Sequence, residues 1–92
     1  MAKRDILFQW YEQKRLKVLV ERGIDFSEAA IALLDQDALI LPSPRQDEQR
    51  YVGLVEIKGK IWAIAHLWRG ETLRIITVRR ARPSEIQLLN GR

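Results

Sequence analysis

The side chains in this chain best equipped for chemistry are its C-terminal arginines. Residues 69–92 carry Arg69, Arg74, Arg79, Arg80, Arg82 and Arg92 against Glu71 and Glu85 alone, which matches the whole formal charge of +4. Residues 1–68 are balanced, with ten Lys or Arg and ten Asp or Glu. A planar guanidinium binds phosphate or carboxylate bidentately, so the surplus suits a phosphate-bearing or acidic partner. Arg79 and Arg80 close the stretch Thr72 to Ala81, which is rich in β-branched residues and has apolar side chains on both parities, as in an interior strand. Side chains alternate along a strand, so Arg79 should leave the sheet with Ile75 and Thr77, and Arg80 with Ile76 and Val78. Either the two guanidiniums serve different faces, or both are wet where the strand emerges into solvent. His66 is the only histidine, and a lone ring on a largely apolar face is more often a hydrogen-bonded packing residue than a catalyst. The sequence contains no Walker loop, no G-x-G-x-x-G, no paired-His metal site and no clear Ser-His-Asp constellation.

These arginines need a scaffold, and 92 residues suffice for one domain whose core folds without metals or disulfides. No Cys is present, which excludes a disulfide framework and thiolate metal sites and fits a reducing compartment. No apolar run approaches the roughly 20 residues of a membrane span. The charged start, Met1 to Asp5, lacks a signal-peptide core, so a cytoplasmic protein with no membrane association is expected.

In chain order, Ile6 to Trp10 reads as a short strand, and Tyr11 to Arg22 as a helix stopped by Gly23, with Leu16, Leu19 and Val20 as its core stripe. Lys14, Val18 and Glu21 fall within roughly 60° of one another on a polar flank expected to point away from the core. Asp25-Phe26-Ser27-Glu28 has the spacing of a capping box, and Phe26, Ala29, Ala30, Leu33 and Leu34 form a stripe suited to covering a sheet. Ala38 to Leu41 can form a strand that Pro42 ends, with a polar turn over 42–49. Three further strands, Arg50 to Ile57, Ile61 to Trp68 and Thr72 to Ala81, are joined by short Gly-containing links that favour a meander of hairpins. Pro83 opens a last short helix. The expected fold class is α+β: a small antiparallel sheet in the order β-α-α-β-β-β-β-α, with two N-terminal helices packed on it, as a single domain over 1–92.

Several stretches together resemble the ordered motifs of the BrnT toxins. They are Glu12-Gln13-Lys14, Arg22 through Ala29, Pro42-Ser43-Pro44-Arg45, Glu48-Gln49-Arg50 and, most specific, Arg74-Ile75-Ile76-Thr77-Val78-Arg79-Arg80-Ala81. The resemblance implies a RelE-like fold and a metal-independent ribonuclease toxin of a type II toxin–antitoxin pair, without cofactor or metal. It implies a cognate BrnA-like antitoxin, which also binds operator DNA, with oligomers expected in the antitoxin complex. On this resemblance Lys14 matches the lysine of the first helix, Glu48 and Arg50 the Glu-x-Arg pair, Arg69 the arginine after the third strand of the sheet, and Arg79 the strand arginine. Where the family usually has Asn and then Lys-His before the glycine, this chain has Val18, Glu21 and Arg22. Arg22 can stabilise phosphate charge but cannot exchange a proton near neutrality.

Cleavage of RNA by its own 2′-hydroxyl needs a base, cations around the crowded phosphorane and a donor to the leaving 5′-oxygen. With the resemblance as guide, the candidate catalytic set is Lys14, Arg22, Glu48, Arg69 and Arg79. Glu48 is the base, Lys14 the proton donor, and Arg50, Arg80 and Arg82 are RNA-binding. Two other classes use the same charge without a base: a silent toxin-fold module that only binds an antitoxin, or a nucleic-acid binder acting through the C-terminal arginines.

Overall fold

The two Gly-containing links are tight turns whose glycines adopt positive φ, 79° at Gly59 and 59° at Gly70, and they fold the C-terminal half into consecutive hairpins. The structure, a computed structural model, describes residues 6–43 and 49–91. Its elements are β1 (Leu7–Gln9), α1 (Glu12–Arg22), α2 (Phe26–Asp35), β2 (Leu39–Ser43), β3 (Arg50–Ile57), β4 (Lys60–Arg69), β5 (Thr72–Arg80) and α3 (Pro83–Asn90). This is the α+β order expected. The five strands form one sheet in the order β1-β5-β4-β3-β2. Every neighbouring pair is antiparallel except β1 and β5, which run parallel with Leu7 opposite Thr72. The polar 42–49 turn falls largely on residues outside the described ones. Pro42, expected to end β2, lies inside it opposite Tyr51, a place open to proline because β2 is an edge strand.

α1 and α2 cover one face of the sheet. Phe26, Ala29, Ala30 and Leu33 of α2 pack with Ile24 and Val18 onto Val55, Trp62, Ile64, Leu73, Ile75 and Val78. Gly53 lies under α2, where a Cβ would run into Leu33 Cδ1. The capping box of α2 forms as its spacing predicts: Ser27 N donates to Asp25 at 2.9 Å and Asp25 N to Glu28 at 3.4 Å. The Ser27 amide above all, with the Ser27 hydroxyl and Arg15, holds the Asp25 carboxyl below its usual range.

Two further expectations, besides the end of β2 and the burial of Leu34, which is exposed, fail for a local reason. The core stripe of α1 is not Leu16, Leu19 and Val20, which are 47%, 36% and 84% exposed; the inward residue is Val18, at 1%. The flank that carries Lys14 and Val18 faces the sheet. α1 lies along β5, and its inner side presents one apolar contact flanked by long cations, a face that hydrophobic periodicity ranks last. The second failure is parity in β5. His66 pairs with Ile75 and Ala65 with Thr77, so Ile76 is an extra residue, a β-bulge, between them. Beyond the bulge the alternation resets: Ile75 and Val78 share the helix-covered face, and Arg74, Thr77 and Arg79 share the opposite one.

Candidate active site

The bulge brings the basic residues together. Arg74 pairs across to Leu67 and Thr72 to Arg69, placing Arg69 and Arg74 on one face of adjacent strands. Arg50 begins β3 one residue beyond the Tyr51–His66 pair and belongs to that face too. With strands about 4.8 Å apart, Arg50 and Arg74 straddle Leu67 with Cα atoms roughly 10 Å apart. α1 supplies the remaining wall. Tyr11, Lys14, Arg50, Arg69 and Arg74 line a cleft of about 380 Å³ floored by Leu67 and Ile76. The Lys14 ammonium and the Arg74 guanidinium have no ion-pair partner among the described residues, whereas Arg50 and Arg69 are each engaged by another group.

Lys14 owes its place to the start of α1. Tyr11 is the N-cap residue, and its carbonyl accepts from Lys14 N at 3.0 Å and Arg15 N at 3.1 Å. Arg15 then donates to Glu12 at 2.7 Å and to Asp25 at 2.8 Å, tying the first turn of α1 to the cap of α2. Arg15 holds the Glu12 carboxyl below its ordinary range. Trp10 packs edge-on against Phe26, with centroids 6.2 Å apart, and anchors the chain just before Tyr11. The residue beside Arg15 is therefore presented from a fixed turn.

The other candidates lie elsewhere. Arg22 is at the far end of α1, where it donates to the Val78 carbonyl at 2.6 Å and borders a different groove. Arg79 shares the face of the cleft but sits opposite Ala63, four β4 residues and so about 13 Å from the Arg74–Leu67 pair. Its guanidinium is held by both carboxylate oxygens of Glu85, at 2.8 and 2.9 Å, which fastens α3 to the sheet. Arg80 is on the helix-covered side, its guanidinium 5.6 Å from the Trp62 ring centroid. Arg82 precedes α3 and is exposed. Glu48 lies outside the described residues. His66 is buried against the helix-covered side, its Nδ1 2.9 Å from the Ile64 carbonyl, and burial pushes its ring toward the neutral form. Among the described residues, no group of three or more His, Asp or Glu is placed to hold a metal ion.

Tyr11 and Arg74 join Lys14, Arg50 and Arg69 in the cleft without belonging to the candidate set read from the sequence. Arg74 carried a usable signal, since it opens the most specific motif. Tyr11 carried none beyond its position before the helix.

The Arg79–Glu85 pair makes a prediction about stability. Hydrogen bonds from Arg79, followed by the Arg82 amide, push the Glu85 carboxyl from 4.5 down to about 2. A depressed carboxyl stabilises the fold above the unfolded value, and that contribution is lost as pH falls through the folded one. Both side chains are less than a third exposed, and the pair is expected to contribute roughly 2–3 kcal/mol at neutral pH. Thermal melts of the protein and its Glu85→Gln variant should differ most above pH 5 and converge as pH approaches 2. A constant difference across that window would contradict the account.

The family model described as ribonuclease toxin, BrnT, of type II toxin–antitoxin systems matches residues 10–85 of the chain. No curated protein matches it significantly.

Proposed function

The chain belongs to the BrnT ribonuclease toxins of type II toxin–antitoxin systems, and we propose that it cleaves RNA in the Lys14–Arg50–Arg69–Arg74 cleft by attack of the substrate's own 2′-hydroxyl, without a metal. The observation that carries this reading is the convergence of four cations from α1, β3, β4 and β5 on one small cleft. A cluster of cations in which Lys14 and Arg74 have no ion-pair partner among the described residues draws an anion, and the most anionic point on the reaction path is the phosphorane.

In the proposed mechanism Glu48, two residues before Arg50 in the chain, takes the 2′-hydroxyl proton. The O2′–P bond forms and the P–O5′ bond breaks. Arg50, Arg69 and Arg74 stabilise the charge on the non-bridging oxygens, and Lys14 gives a proton to the departing 5′-oxygen. The products are a 2′,3′-cyclic phosphate and a 5′-hydroxyl. Arg79, occupied by Glu85, acts in this scheme by holding α3 rather than by touching the phosphate.

The family implies an antitoxin partner and an RNA target. The partner proposed here is a BrnA-like protein that presents acidic residues to the cleft, links the pair to operator DNA and assembles it into oligomers. No helix among the described residues is long and apolar enough to cross a membrane, and the proposed place of action is the cytoplasm. Producing the protein alone in bacteria should arrest growth. Co-production of the antitoxin, or the Lys14→Ala substitution, should relieve the arrest. Unimpaired growth at high soluble yield would contradict the proposal.

A further inference from the structure

At the far end of α1 lies a second basic groove, of about 240 Å³, bordered by Arg22, Lys58, Lys60, Ile24, Ile57 and Trp62. Among the described residues no carboxylate lines it; Lys58 at its border is ion-paired with Glu28, Nζ to Oε1 3.1 Å. The Arg22 guanidinium is held by its bond to the Val78 carbonyl, which uses one of its five donors, and Arg22 lines the groove. Lys58 has φ of 52°, the one positive value among the described non-glycine residues, in a turn that glycine or asparagine fits at lower cost. Lys58 thus places a cation at a position whose backbone disfavours a long side chain.

We propose that this groove is a second phosphate-binding site, which grips the RNA backbone a few nucleotides from the bond being cleaved. The inference rests on the reading of the Lys14 cleft as the cleavage site. Lys14 and Arg22 are eight residues apart on one helix, about 12 Å along its axis; the cleft opens on the Arg74 face of the sheet and the groove beside Trp62 on the other, so a strand that engages both runs along α1 and past the edge of β5. A protein partner would be expected to find an apolar anchor at such a place. Here Ile24 and Trp62 are buried, and the exposed part of the groove is cationic. That composition matches a phosphate backbone.

The test uses the full chain and two 2′-O-methyl RNAs that resist cleavage, one long and of mixed sequence, the other just spanning the cleft. The Lys58→Gln/Lys60→Gln double variant should bind the long RNA several-fold more weakly. Its dependence of log K on log salt should be shallower by about 0.7, the contribution of one single-strand phosphate. Binding of the short RNA, and cleavage of its unmodified counterpart, should be unchanged. Lys58→Gly should raise the melting temperature by a few degrees while weakening long-RNA binding, a combination that a merely structural lysine would not give. An unchanged salt slope, or equal loss on both RNAs, would overturn the site. So would normal RNA binding with lost affinity for the purified antitoxin, which would make it a protein contact. Failure of the unsubstituted protein to cleave any RNA would strike the cleft reading instead, and the binding measurements would still decide the groove.

Discussion

Replacing Arg74 with alanine should lower single-turnover RNA cleavage about 100- to 1,000-fold, the range found when one preorganised donor to a developing oxyanion is removed. The size follows from where Arg74 sits. Its neighbours Leu73 and Ile75 are 0% and 1% exposed and fix the strand, so the backbone that carries the guanidinium into the cleft is held by packing that the substitution leaves in place. It has no ion-pair partner among the described residues to lose. The fold should therefore melt as before, and the loss should fall on the rate rather than on RNA affinity. Arg74→Lys, which keeps the charge without the bidentate fork, should recover part of it. Arg80→Ala, on the other side of the sheet, should leave cleavage of a short substrate nearly intact. Equal effects at the two positions would show a diffuse basic patch rather than an arranged site.

Glu48→Gln should have the second large effect, about 100- to 10,000-fold in rate, the usual weight of a positioned general base. The amide is nearly isosteric but cannot take the 2′-hydroxyl proton. Removing a negative charge beside Arg50 in the chain should leave RNA affinity unchanged or slightly raised. The diagnostic pattern is tight binding without cleavage. A Glu48→Gln variant that cleaves at full rate would reassign the base and keep the cleft.

Much of this architecture can be read from residue types. The capping box at Asp25–Glu28, the glycine links and the strand-forming runs of the C-terminal half each act within a few residues, so local pattern is enough to identify them. What escaped depends on contacts between elements. The bulge at Ile76 arises from the pairing of β5 with β4, and without it Arg74 would be assigned to the face of Val78 instead of that of Thr77 and Arg79. The inward side of α1 escaped for a related reason. Apolar count favours Leu16, Leu19 and Val20, yet the side packed along β5 carries Lys14, Val18 and Arg22. Arg79 and Arg74 look equivalent as strand arginines, and Glu85, six residues beyond Arg79, separates them by occupying one of the two.

The central claim is that the cleft makes RNA break itself, and one measurement addresses it directly. Purified protein is mixed with a labelled mixed-sequence RNA in EDTA, beside the same RNA carrying 2′-deoxy residues at the mapped cleavage positions, and the new ends are identified. The account predicts fragments ending in 2′,3′-cyclic phosphate and 5′-hydroxyl, no cleavage at the 2′-deoxy positions, and near-silence from Arg74→Ala. Intact RNA in EDTA, cleavage that persists at 2′-deoxy positions, or fragments ending in 3′-hydroxyl would contradict it.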